Sequence, residues 1–183
     1  MTDKKTPIHG VTGVKVDEYA VNLLLDYMVD HKPEVAQVNQ DKKPTKNAEI
    51  RDADVYFVDF DQEKIYTLLK KLANQLNKYF NYHVDGIEKA QIIHYKSPSN
   101  GYEYHIDLGP NEAAKRKISI SILLNDNYEG GEMCFRTGET PSCTKPNIGD
   151  VVAFSSFLPH KVNPITKGER IVLVTWFTGT PFH

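Results

Sequence analysis

Residues 95–107 read YKSPSNGYEYHID, and the fold class turns on how that stretch is taken. Before it, apolar residues recur at helical spacing; from Ala90 on they alternate, or run in short blocks bounded by Pro, Gly and Asn. If the stretch ends as a strand, residues i and i+2 share a face, so His105 and Asp107 project together. A second imidazole, His160, stands 53 residues beyond Asp107, and Arg170 follows ten residues after that. Two imidazoles and one carboxylate fill half of an octahedral sphere, the arrangement of non-haem Fe(II) oxygen chemistry. Taken alone, His-x-Asp also describes two polar residues on a wet strand, so the neighbours have to decide.

Strand-like runs surround the stretch: Ala90–Tyr95, Gly101–Leu108, Lys117–Leu124, Gly131–Phe135, Asp150–Ser155, Lys161–Pro164 and Glu169–Phe177. Short strands at near-regular spacing, separated by turn residues, indicate an antiparallel sandwich or jelly roll. Such a roll folds its ends across one another and so can bring His160 to His105. On the N-terminal side, Ile65, Leu68, Leu69, Leu72, Leu76, Tyr79 and Phe80 form the apolar stripe of a helix with Asp61 as its expected cap. VYFVDF (55–60) reads as a strand, and residues 17–31 as an amphipathic helix capped by Asp17. Between them Lys32–Ile50 is polar and aperiodic, either a lid over a site or a solvated insertion. The expected class is α+β: a double-stranded β-helix (about 89–180) with N-terminal helices (within 1–88) on the outer face of its larger sheet, in one domain.

Arg170 opens the last strand. Alternation puts Arg170, Val172, Val174 and Trp176 on one face and Ile171, Leu173, Thr175 and Phe177 on the other. Both faces are largely apolar, and a buried arginine is costly unless paired. No acid nearby in sequence faces it; a bound carboxylate would suit its two-pronged guanidinium, and a strand-mouth arginine reaching to solvent is the alternative. Tyr95 shares a strand face with Ile93 and Gln91, as a pocket hydroxyl or a structural ring. Gly130-Gly131-Glu132 suits a sharp turn.

Composition is ordinary: 40% hydrophobic, 25% charged, net charge -2 over 183 residues. Nothing basic favours nucleic acid. The first ten residues lack the apolar core of a secretory signal, and no apolar run reaches membrane length, so a soluble, cytoplasmic protein is expected. The two cysteines, Cys134 and Cys143, either face each other across a hairpin or, as a reducing cytosol favours, stay free thiols.

The segments YKSPSNGYEYHID (95–107), RKISISILLND (116–126), GGEMCF (130–135) and PNIGDVVAFSSFLPHKVNPITKGERIVLVTWF (146–177) together resemble the Fe(II)- and 2-oxoglutarate-dependent dioxygenases, in particular the prolyl 4-hydroxylase-like branch. The resemblance implies that His105, Asp107 and His160 are iron ligands and that Arg170 binds the far carboxylate of 2-oxoglutarate. It makes Tyr95 a cosubstrate contact and Tyr102 and Trp176 pocket walls. Some relatives support the far carboxylate from the strand at 117–124, where the nearest candidates are Ser119 and Leu123. The implied activity hydroxylates an organic substrate, a prolyl residue in a protein or peptide among the options, while 2-oxoglutarate and O2 become succinate and CO2. Ascorbate is the implied reductant. A non-catalytic cupin-like roll that binds a partner or small acid is the competing reading, and the complete ligand set with Arg170 ten residues on separates the two.

Overall fold

The structure, a computed structural model, describes residues 11–35, 38–40, 43–45 and 53–182. β1 (Val11–Lys15) leads into α1 (Glu18–Asp30); β2 (Glu34–Val35), β3 (Val38–Gln40), β4 (Lys43–Thr45) and β5 (Asp54–Phe57) follow, then α2 (Glu63–Phe80). The remainder is β6 (Gly86–Ile87), β7 (Gln91–Lys96), β8 (Tyr102–His105), a 3-10 turn at Asn111–Lys115, β9 (Arg116–Leu123), β10 (Tyr128–Gly130), β11 (Met133–Phe135), β12 (Ser142–Thr144), β13 (Asp150–Ser155), β14 (His160–Val162) and β15 (Ile165–Thr178). A nine-stranded sheet runs β1-β13-β9-β15-β7-β5-β2, with β6 and β10 also on β15. A four-stranded sheet runs β12-β11-β14-β8.

Asp17 caps α1 as its sequence position suggests, its side chain accepting from Ala20 N at 2.9 Å. The cap of α2 differs from expectation. The helix begins at Glu63 with Gln62 at the cap position and no side-chain cap bond, so Asp61 does not fill that role. Its apolar stripe compensates: Ile65, Leu69, Leu72, Leu76 and Phe80 are buried, each at about 1.5–3 kcal/mol of transfer free energy. They meet Leu24 and Tyr27 of α1 and the inward row Ile92, Ile118, Ile120, Ile122, Leu173 and Phe177 of the large sheet. The helices thus cover one face of that sheet. Its other face turns toward the four-stranded sheet, where Met133 and Phe135 pack on Val152 and Phe154, and Val162 on Ile93 and Val172. The site lies between the sheets.

Lys32–Ile50 is not wholly aperiodic: β2 pairs with β5 at the sheet edge, and β3 with β4 as a separate hairpin. The rest of the expected lid lies outside the described residues. The cysteine reading also needs correction. β11 and β12 pair in a register that sets Cys134 opposite Cys143, 4.0 Å apart at Cα, and the two form a disulfide. Cross-strand neighbours at this spacing have their Cβ atoms in reach. The pairing takes away the cysteine argument for a reducing compartment. No helix among the described residues is long and apolar enough to cross a membrane.

Candidate active site

β8 and β14 pair antiparallel with His105 opposite His160, and the two ring centroids stand 4.2 Å apart. Each ring has one nitrogen engaged: Nδ1 of His105 donates to the Glu103 carbonyl at 2.7 Å, and Nδ1 of His160 to the Leu158 carbonyl at 2.9 Å. A carbonyl only accepts, so each Nδ1 carries the proton and each Nε2 of the neutral ring keeps its lone pair. That tautomer is the one a metal ion requires. Tyr102 stacks on His105 at 3.7 Å, and Phe154 packs on His160 at 4.5 Å, which fixes both ring planes.

Asp107 is placed by a different device from strand alternation. β8 stops at His105; the chain then leaves the ladder, and the N–H groups of Asp107 and Leu108 both donate to the Ser156 carbonyl, at 2.9 and 3.0 Å. Arg116 Nη1 donates to the Asp107 carbonyl at 3.1 Å, and Ser119 Oγ donates to Oδ2 at 2.6 Å. The carboxylate ends with Oδ1 3.5 Å from Nε2 of His105 and Oδ2 3.7 Å from Nε2 of His160. One donor atom from each residue lies within 4.8 Å of the other two. An octahedral ion with bonds of about 2.1 Å wants its donors roughly 3 Å apart, so small side-chain shifts close these three around one. The donor set, two bare imidazole nitrogens and one carboxylate, fits Fe(II).

Burial pushes the Asp107 carboxyl up, but His105, His160 and Ser119 outweigh it and hold the group well below the usual carboxylate range. Burial pushes the His160 imidazole down to about 4, against the pull of Asp107. Both shifts favour the protonation states that ligate: carboxylate and neutral imidazole.

The opposite wall carries Arg170. It is 1% exposed, its Nε is buried without a partner, and no carboxylate pairs with it among the described residues. Its guanidinium lies 5.8 Å from the Tyr95 ring and 5.9 Å from that of Tyr128. Gly131 makes room for it: at φ +68° a Cβ there would sit 2.8 Å from Arg170 Cδ. The glycine pair therefore does more than turn the chain. A cavity of about 1000 Å³ reaches from Arg170 and Tyr95 past Val172 and Val174 to the three ligands.

Tyr102 and Trp176 both line this cavity. Arg116 lies 3.8 Å over the Trp176 ring and donates to both carboxylate oxygens of Glu88, at 2.9 and 2.7 Å. Ser119 stands elsewhere than expected. It is paired across β15 with Trp176, six residues along from Arg170, and its hydroxyl is engaged by Asp107 and Ser156. Leu123 is buried and has no polar group to offer the far carboxylate. Glu88, Arg116 and Ser156 escaped the sequence reading: Glu88 and Arg116 are 28 residues apart, and Ser156 acts largely through its main chain.

The sequence profile of the 2OG-Fe(II) oxygenase superfamily matches residues 90–178. A PKHD-type hydroxylase of Alteromonas mediterranea is 36% identical over 88 residues, 44% of this chain and 39% of the relative; the chain spans about two fifths of the length of the curated relatives it matches. Among solved structures, a Pseudomonas putida prolyl-4-hydroxylase superposes with a TM-score of 0.74 at 18% identity, covering 93% of this chain and 92% of that one. A Trichoplax adhaerens prolyl hydroxylase, in complex with a hypoxia inducible factor oxygen degradation domain peptide fragment, gives 0.75 at 18%, covering 93% and 83%. These likenesses are to the double-stranded β-helix fold. Just under half of the chain, the part that holds His105, Asp107, His160 and Arg170, thus matches the 2OG-Fe(II) oxygenase superfamily, and PKHD-type hydroxylases are similar to it.

Proposed function

We propose that this protein is an Fe(II)- and 2-oxoglutarate-dependent hydroxylase. One observation carries the reading. A single cavity has two bare imidazole nitrogens and a carboxylate at one end, and a buried, unpaired guanidinium at the other. The first set suits Fe(II); the second suits the far carboxylate of a short dicarboxylic acid whose near end reaches the metal.

In this reading His105, Asp107 and His160 hold the iron. A bound ferrous ion supplies the O2 activation that no side chain can provide. Arg170 grips the far carboxylate of 2-oxoglutarate with two parallel hydrogen bonds, and the Tyr95 hydroxyl stands at the same sheet level, directly across the strand pair. Ile93, Val172 and Val174 wall the path between the ends and keep it dry. The overall conversion is 2-oxoglutarate and O2 to succinate and CO2, with one oxygen atom entering the substrate, and ascorbate serves as an auxiliary reductant. The substrate class is a prolyl residue in a protein or peptide: the Trichoplax protein of the same fold holds a peptide. Glu88, Arg116 and Trp176 also line the cavity.

The test offers proline-containing peptides to the protein with Fe(II) and 2-oxoglutarate, and follows succinate and peptide mass. Succinate formation together with a peptide gaining one oxygen atom supports the reading. Succinate without any modified peptide moves the substrate to another class. No succinate with any substrate overturns the hydroxylase assignment.

A further inference from the structure

We infer that Ser119 is a positioning residue: its hydroxyl, backed by Ser156, ties down Oδ2 of Asp107 so that the carboxylate gives a metal ion one oxygen, Oδ1. The inference rests on the metal-centre reading above and adds to it the way the aspartate ligates.

The geometry is local and dry. Ser119 Oγ donates to Asp107 Oδ2 at 2.6 Å, and Ser119 Oγ and Ser156 Oγ stand 3.0 Å apart. Ser119 is 2% exposed and Ser156 fully buried, so no bulk water competes for these bonds. The backbone behind them is rigid: Ser119 pairs with Phe154 on one side and Trp176 on the other, in the middle of the nine-stranded sheet. Asp107 is held at its own main chain by Ser156 and Arg116. Oδ1 has no hydroxyl donor and faces Nε2 of His105.

Ser119 cannot serve the far carboxylate as well. Its cross-strand neighbour is six residues from Arg170, roughly 20 Å along a strand. Its consequence is therefore at the metal. Two imidazoles and one carboxylate oxygen occupy three of six octahedral positions and leave three open; a carboxylate binding through both oxygens would leave two. A chelating acid takes two positions, so only the first arrangement keeps one for O2.

The test needs no turnover. Mn(II) is titrated into the wild-type protein, Ser119→Ala and Ser156→Ala, and water-proton relaxation is measured per bound ion. In Ser119→Ala the freed Oδ2 displaces one of three waters, so relaxation enhancement falls by about a third, and loss of the outer partner raises the Mn(II) Kd by roughly 10–100-fold. Ser156→Ala moves both values the same way by less, and stands in for Ser119→Ala should that variant fail to fold. Unchanged relaxation in Ser119→Ala overturns the inference whatever the Kd does. A wild-type protein that binds no Mn(II) instead removes the metal centre itself.

Discussion

The two ends of the cavity are built on opposite plans. At the metal end each ligand has protein partners of its own: the Glu103 and Leu158 carbonyls for the imidazoles, and Ser119, Ser156 and Arg116 for Asp107. At the other end Arg170 is buried with an orphaned Nε and no ion pair among the described residues, although the Glu132 carboxylate feels its charge. The first end is pre-organised and waits only for an ion. In the proposed reading the second is completed by the ligand, because a bound carboxylate would pair a guanidinium that has no ion pair in the protein. On the proposed function, one end would set the chemistry and the other would select the acid.

The largest effect expected from breaking this contrast is at the metal end. His105→Ala or Asp107→Ala should abolish Fe(II) binding in equilibrium dialysis, while the fold, judged by circular dichroism, persists. Next comes the acid end. Arg170→Ala should raise the apparent 2-oxoglutarate constant by about two to three decades, from the roughly 3–5 kcal/mol lost when one partner of a buried charge pair is removed. Iron affinity should be untouched, and Arg170→Lys should fall between.

A smaller effect is the pH response of the metal-free protein. Folded His160 resists protonation until about pH 4, whereas an unfolded histidine protonates near 6.5. Between those values the unfolded state binds more protons, so stability rises with pH and is lost as pH falls from about 6.5 to 4, by about 3 kcal/mol. Asp107, held low in the fold, adds further loss below about pH 3.8. Urea unfolding across this range should show the slope in the wild type, and His160→Gln should flatten its upper part. Smallest is the disulfide on β11, the strand beside His160. Cys143→Ser should lower stability by about 2–3 kcal/mol, the value for a short closed loop, read as a shift in denaturant midpoint at unchanged slope.

The sequence yields the architecture wherever periodicity is long. β13 occupies Asp150–Ser155 as the alternation requires, and five residues of the α2 stripe are buried, while Leu68 is partly covered and Tyr79 is exposed. It is silent on β6, β10 and β12, because two or three residues carry no period. For Asp107 the i, i+2 rule assumes a strand that in fact ends two residues early; the Ser156 carbonyl holds its main chain and the Ser119 hydroxyl its carboxylate instead. Arg170 was legible because a charge on a strand apolar on both faces is conspicuous. The place of Ser119 was not, since a serine hydroxyl in a pocket-facing row fits several roles until its partner is known. The disulfide depended on a hairpin register that spacing alone does not settle.

The most direct measurement is an anaerobic titration of the Fe(II)-loaded wild-type protein with 2-oxoglutarate, followed in the visible spectrum. The expected result is a weak metal-to-ligand charge-transfer band that saturates at one equivalent of acid per iron, and that succinate, which lacks the keto oxygen, fails to produce. A protein that binds Fe(II) yet gives no such band at any 2-oxoglutarate concentration would contradict the claim that both ends of the cavity hold one acid.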